Sequence, residues 1–261
     1  MRENLATAAR LFGLAITGEP ILGWRLRSIS APAARGTEHC WLRVVSQDPQ
    51  WAHGEAWTGA LDANHIAGIP KPRVLDVAEW EEGRKQRAEI MTLMPGRPCS
   101  PTDVLHASID LPPEWWTDLA QSLNSLASTP TTRTNADQNL VTIRITERFG
   151  DGPNTTVDEW ETVHGDLHWS NITAPRFGLL DWELWGRGPR GTDAATLFCY
   201  SLLAPTVAAT VRDRFHEVLD SPSGRVAQLY VVARLQRRID GGDHLDLAEP
   251  LNDHVRDLLG P

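Results

Sequence analysis

The alternation of apolar and polar residues changes character about a third of the way along the chain. Residues 1–15, MRENLATAARLFGLA, carry apolar positions at helical spacing, interrupted by Glu3, Asn4 and Arg10. From about residue 20 to 95 the pattern is strand-like, with short aliphatic runs at 39–45, 73–77 and 88–94. Residues 51–68 between the first two runs read as one helix, closed by Gly68 and by Pro70 and Pro72 beyond it. Gly54 and Gly59 weaken that helix by about 1 kcal/mol each relative to alanine. Glu81-Glu82-Gly83-Arg84-Lys85 reads as the turn of a hairpin joining the second and third strands.

Past Met94-Pro95-Gly96-Arg97-Pro98 the period becomes helical. Leu111-Pro112-Pro113-Glu114 opens a helix with Trp115, Leu119, Leu123 and Leu126 on one face, and Pro130 ends it. A second helix is predicted over 138–149, although Val141, Thr142, Ile143, Ile145 and Thr146 are β-branched. Two short strands flanking a loop are predicted between Thr162 and Asp181, and helices over 193–203, 206–219, 224–238 and 246–259. A β-rich first third before a mostly helical remainder predicts an α+β protein in two lobes, 1–95 and 96–261.

Composition narrows the function. The chain has 261 residues, 41% of them hydrophobic, enough to bury a sizeable core. With 25 Lys and Arg against 34 Asp and Glu, the formal charge of −9 argues against a nucleic-acid partner and tolerates a cationic small molecule. Cys40, Cys99 and Cys199 are odd in number and widely spaced, which predicts reduced thiols and neither a disulfide framework nor a zinc site. No leader-like segment or run of 18 apolar residues occurs, so the expectation is a cytoplasmic protein with no membrane association. Lys71 and Lys85 are the two lysines among the 25 basic residues, so a lysine-dependent mechanism has two places to find one.

The densest reactive cluster is Val163-His164-Gly165-Asp166-Leu167-His168-Trp169-Ser170-Asn171, followed by Leu179-Leu180-Asp181-Trp182-Glu183. Two carboxylates and a carboxamide at or near strand ends form an oxygen-rich corner suited to magnesium, which keeps waters and takes few protein ligands beside substrate phosphates. Acidic side chains of a surface hairpin in water are the plainer alternative. His164 with His168 does not make a zinc site, because the helical H-E-x-x-H arrangement is absent.

His164, Asp166 and Asn171 stand at the offsets of H-R-D-x-x-x-x-N, the catalytic loop of protein kinases, with glycine in place of arginine. H-G-D-x-x-x-x-N followed by Leu179-Leu180-Asp181-Trp182-Glu183 resembles the aminoglycoside phosphotransferase and choline kinase family, small-molecule kinases of protein-kinase-like fold. The resemblance implies that Asp166 orients the acceptor hydroxyl and takes its proton. It implies that Asn171 and Asp181 hold Mg2+ against the phosphates of ATP or GTP, with His164, His168 and Asp193 in support. The backbone around Thr92, Leu93 and Met94 looks like the family's hinge, which receives the nucleotide base; core packing also accounts for these residues.

The sequence departs from the family in two places. Arg43 stands where the family carries a phosphate-binding lysine, and arginine is a longer, planar fork. Its expected helix partner is Glu55, with Asp62 as the alternative. Gly18, Gly23 and Gly36 make no dense glycine cluster in the region 18–37, where the phosphate-covering loop is expected. Trp169, Trp182 and Trp185, from a total of 11 tryptophans, are expected to wall a substrate pocket in the second lobe, with Glu183 drawing a cationic amine. Asp240, Asp243 and Asp246 could do the same, although a solvated face accounts for them. The expected activity is transfer of the γ-phosphate of a nucleoside triphosphate to a hydroxyl of a small molecule, with an antibiotic such as an aminoglycoside as leading acceptor. A non-catalytic pseudokinase that binds nucleotide or a partner protein is the alternative, motivated by Arg43 and the missing glycine cluster.

Overall fold

A computed structural model describes residues 1–260. The chain divides into two compact units, one of residues 1–67 and 71–95, the other of residues 68–70 and 96 onward.

The first unit begins with helix α1 (Arg2–Phe12), followed by strands β1 (Ala15–Ile16), β2 (Ile21–Leu22), β3 (Ser28–Arg35) and β4 (Glu38–Gln47). Helix α2 (Glu55–Asp62) comes next, and then the hairpin β5 (Val74–Glu82) and β6 (Arg84–Thr92). The strands form one antiparallel sheet in the order β1-β3-β4-β6-β5, with β2 also on β3. Period-two alternation gives the sheet two faces. One buries Ile29, Ala31, Ala33, Cys40, Leu42, Val44, Ala88 and Ile90 against Leu5, Ala8, Ala9 and Phe12 of α1. The other packs Trp41, Val74 and Met91 against Ala60 of α2. The single helix expected over 51–68 is a short α2 between two 3-10 turns, Pro49–Trp51 and Ala63–His65. Helical geometry is interrupted at Ala52 (φ −85°, ψ 53°) and at Gly54, whose φ of +76° is left-handed.

The second unit contains β7 (Arg97–Pro98), α3 (Pro113–Ala127), α4 (Gln138–Phe149), β8 (Trp160–Val163), β9 (Thr173–Ala174) and β10 (Gly186–Pro189). Helices α5 (Thr192–Cys199), α6 (Pro205–Arg214), α7 (His216–Leu219), α8 (Pro222–Asp240) and α9 (Ala248–Leu259) complete it. Caps set several starts: Asp137 accepts from Leu140 N–H at 2.7 Å to open α4, and Ser221 from Gly224 N–H at 3.0 Å to open α8. Val141 and Ile145 of α4 pack on Val226, Leu229 and Tyr230 of α8. The helix expected over 193–203 ends at Cys199, and the one expected over 206–219 breaks into α6 and α7 at Phe215, whose φ/ψ of −113°/15° is not helical. The strand expected to carry Asp181 reduces to one bridge, Ile172 to Leu179. The partner of β8 is β10, which sequence reading missed because Gly-Arg-Gly-Pro carries no strand signal. Among the described residues no helix is long and apolar enough to cross a membrane.

Candidate active site

The β8–β10 ladder ends at the pair Val163 and Gly186, and the loop 164–171 follows directly. Asp193, in the first turn of α5, lies beneath this loop. Its carboxylate accepts the backbone N–H groups of His164 (2.7 Å) and Gly165 (2.9 Å). Burial pushes that carboxyl up to about 7, while the two amide bonds pull it back toward the charged form. Gly165 has φ +82°, and a Cβ there would fall 2.2 Å from Asn135 Nδ2 and 2.8 Å from the Leu184 carbonyl oxygen. The glycine that replaces the protein-kinase arginine is thus required by close approach as well as by backbone angle. Arg234 of α8 donates to the Gly165 carbonyl at 3.1 Å.

His164 is fully buried and donates Nε2–H to the Leu180 carbonyl at 2.8 Å. Burial outweighs the nearby Asp166 charge and pushes its imidazole down to about 4, so the ring is neutral. The N–H of Leu180 donates in turn to the Asn171 carbonyl at 2.8 Å. Residue 180 is clamped from both sides, which places Asp181 next to the end of the loop. Asp181 itself is exposed and has φ 57°, left-handed for a non-glycine residue, which marks a specially held position.

Asp166 is opposed by His168, whose Nε2 lies 3.3 Å from Asp166 Oδ2 and 3.7 Å from Asp103 Oδ1. Burial favours the protonated Asp166 carboxyl. The hydrogen bond and charge of His168, with Arg234 and His164, outweigh it and hold Asp166 below the ordinary carboxylate range. His168 moves the other way: burial favours the neutral ring, and Asp166, Asp103 and Asp181 together raise it above its ordinary value. Asp103 also faces Arg238 (3.0 Å) and His244 (3.2 Å). Burial pushes its carboxyl up, and His244, His168 and Arg238 together bring it well below the usual range. Asp103, Arg234, Arg238 and His244 were missed in the sequence, because nothing adjacent to them resembles a motif.

Asn171 Nδ2 donates to the Asp166 carbonyl at 3.0 Å, which leaves Oδ1 as the oxygen that could take a cation. That oxygen and the Asp181 carboxylate are hard donors of the kind magnesium takes. Among the described residues no group of three or more His, Cys, Asp or Glu side chains is arranged to hold a metal.

In the first unit Arg43 lies on the α2 face of the sheet, directly across the ladder from Glu89 of β6. Its guanidinium is 3.8 Å from Glu89 Oε2. Glu89 is 2% exposed and accepts Arg87 Nε–H at 2.8 Å, and Arg87 reaches Glu79 at 2.8 Å. Glu79 also takes Lys85 at 3.1 Å and the Trp57 indole N–H of α2 at 2.8 Å. Glu89 is thus one neighbour of Arg43 on the sheet; Glu55 lies in the first turn of α2, and Asp62 accepts from Thr58 Oγ1 at 2.6 Å. Lys71 is buried, with its amine pushed down to about 8 by burial and by Arg73. The amide of Thr92 is already given to the Arg73 carbonyl at 2.9 Å, and Leu93 and Met94 lie just past the end of β6.

The tryptophan wall is not present. Trp169, Trp182 and Trp185 are 0%, 3% and 1% exposed. Trp169 stacks on Trp115 at 6.3 Å, Trp182 meets His164 edge-on at 4.9 Å, and Trp185 lies 4.5 Å under Arg133. They are core residues that shape the loop from behind. The Glu183 backbone oxygen accepts Arg133 at 3.2 Å. Of the other acidic candidates, Asp240 pairs with Arg148, Asp243 with Arg238 and Asp246 with His106.

The antiparallel sheet of the first unit and the helices of the second make an α+β protein, and its fold is kinase-like. No protein-family model matches the sequence, and no curated protein sequence matches it. Solved structures match the fold over nearly the whole chain. A thermostable mutant of the aminoglycoside phosphotransferase APH(4)-Ia, in ternary complex with ADP and hygromycin B, has TM-score 0.64 at 16% identity, covering 98% of this chain and 97% of that one. The GDP and kanamycin complex of APH(2")-IIia gives 0.58 at 13% identity, covering 97% of each chain. A protein described as a fructosamine-3-kinase from Haemophilus somnus gives 0.56 at 11%, covering 95% of each.

Proposed function

We propose that this protein is a small-molecule phosphotransferase, moving the γ-phosphoryl group of ATP or GTP to a hydroxyl of a small acceptor, with an antibiotic such as an aminoglycoside as the leading class. The observation that carries the reading is the arrangement of the 164–171 loop: an ionised Asp166 carboxylate held by His168, with Asn171 and Asp181 joined through residue 180. Solved neighbours of the same fold, bound to nucleotides and aminoglycosides, support the class of donor and acceptor.

In this reading the acceptor oxygen forms a bond to the γ-phosphorus as the bond from phosphorus to the β,γ-bridging oxygen breaks. The hydroxyl proton passes to Asp166, and the nucleoside diphosphate leaves with the bridging oxygen. Asn171 Oδ1 and Asp181 would hold magnesium, which when bound offsets charge on the phosphates. In the first unit Arg43 would supply a fixed positive charge suited to nucleotide phosphates. His168 orients Asp166, and neutral His164 with Asp193 keeps the loop in shape. Because little covalent work falls to the protein, positioning carries the rate.

The test is calorimetric titration with ATP and with GTP, each with and without magnesium, on the unaltered protein and on Asp181→Asn. Magnesium-dependent binding of one nucleotide, lost in the variant, is the expected result, and phosphate addition to antibiotics is then sought by mass spectrometry. Failure of both nucleotides to bind would overturn the reading.

A further inference from the structure

The sheet face beneath α1 changes chemistry along its length. Residues 29, 31 and 33 of β3, 40, 42 and 44 of β4, and 88 and 90 of β6 are apolar and close against the helix. One row further the alternation continues, but its residues are Arg27, Ser46 and Gln86. The row is continuous: Ser46 N–H donates to the Arg27 carbonyl at 2.8 Å, and Ser46 pairs with Gln86 across the ladder. Ser46 and Gln86 are 5% and 3% exposed, so this is a buried polar floor. Above it, α1, the turn at residues 23–27 and the β5–β6 turn leave a cavity of about 820 Å³.

Four guanidinium groups line that cavity, Arg10, Arg25, Arg27 and Arg84, against two carboxylates, Glu3 and Glu82, a local charge of +2 (4 − 2) in a chain of −9. Among the described residues Arg10, Arg27 and Arg84 make no ion pair within 4 Å. Arg84 is held at the floor by Ser46 Oγ (3.2 Å) and the Ser46 carbonyl (3.3 Å), and Asn4 Nδ2 donates to Gln86 Oε1 at 2.8 Å. Strand alternation puts Arg43 on the opposite face of the sheet, so this cavity is separate from the phosphate clamp. Arg25 and Leu26 have φ of 48° and 58°, so one wall is a strained turn. That turn lies within 18–37, where the phosphate-covering loop is expected.

We propose that this cavity is a second binding site, for a small anion carrying a phosphate or pyrophosphate group. Its volume lies in the range of small-molecule sites. Planar guanidinium forks bond phosphate oxygens in pairs, and among the described residues Arg10, Arg27 and Arg84 have no carboxylate within 4 Å to compete. Because Arg27 belongs to the 23–27 turn, an anion held between it and Arg84 fixes that turn. The site stands on these residues independently of events at Arg43.

Inorganic pyrophosphate and ribose 5-phosphate, without magnesium, are titrated calorimetrically into the full chain and into Arg27→Gln, Arg84→Gln and Arg43→Ala. The expected result is saturable binding that Arg43→Ala leaves within about twofold and that each of the other two substitutions weakens about tenfold or more. Binding of pyrophosphate alone identifies a free polyphosphate as the occupant, and binding of both identifies a phosphate ester; either supports the site. Binding of neither overturns it. So does binding that Arg43→Ala abolishes and the other variants leave unchanged, which would put the anion at the clamp.

Discussion

At Asp166 two influences oppose each other on one carboxylate, and the balance decides what it can do. Burial alone would make it a neutral acid, whereas His168 at 3.3 Å, with Arg234 and His164, keeps it ionised. An always-ionised aspartate is a weak base, sufficient where the proton leaves late and orientation of the hydroxyl matters most. Asp166→Asn keeps the shape and removes the charge. Turnover is expected to fall roughly 10²–10⁴-fold, with calorimetric nucleotide affinity nearly unchanged, since the proposed phosphate and metal contacts lie on Arg43, Asn171 and Asp181. Unchanged turnover would favour the non-catalytic alternative. Asp166, Asn171 and Asp181 were legible because their spacing within one short stretch is itself the signal. Asp103 and Arg234 act on the same loop from distant parts of the chain, and only folding makes them neighbours.

At the scale of elements, β4, β5, β6 and α2 are tied by a chain of alternating charges, Arg43, Glu89, Arg87 and Glu79, ending on Trp57. Buried charges hold their geometry well when each has an opposite neighbour, and removing one member leaves another uncompensated. Glu89→Gln keeps the Arg43 charge but loosens its position. The expected outcome is nucleotide affinity within about threefold of the unaltered protein and turnover lower by roughly 10–100-fold. Arg43→Ala removes the charge and is expected to weaken nucleotide binding roughly 10–100-fold. The double variant should turn over no more slowly than Arg43→Ala alone, since one side chain acts through the other. Additive losses in steady-state rates would show that Glu89 is merely structural. The hairpin β5–β6 and helix α4 were readable from period and turn chemistry. Helix 51–68 was not, because its break depends on Gly54 adopting a left-handed angle that composition permits without requiring. Strand β10 was hidden because its place in a ladder comes from β8, not from its own residues.

For the molecule as a whole, His164 links the site to the stability of the fold. Its ring is sealed in the second unit, with a folded pKa near 4 against about 6.5 in an unfolded chain. Between those values the unfolded chain binds a proton that the folded chain does not, so stability is lost as pH falls from about 6.5 toward 4. Across that window the loss is roughly 3 kcal/mol, of which about 2 kcal/mol is reached by pH 5. His168 acts in the opposite sense: its pKa is raised by Asp166, so its contribution is present at low pH and lost as pH rises through its folded value. A direct comparison of pH values mixes the two, and a difference between variants separates them. His164→Asn can still offer an N–H toward the Leu180 carbonyl but cannot titrate, while His168 remains in both proteins. The unaltered protein should exceed the variant in thermal midpoint at pH 7.5, and by pH 5 that margin should shrink by about 4–8 °C. Parallel midpoints across the range would mean that His164 takes up its proton equally in the folded and unfolded chain, and the sealed ring held neutral down to about pH 4 would then be wrong. Because the folded ring stays neutral until about pH 4, its bond to the Leu180 carbonyl persists through the window in which stability declines, and the decline reflects proton uptake by the unfolded chain.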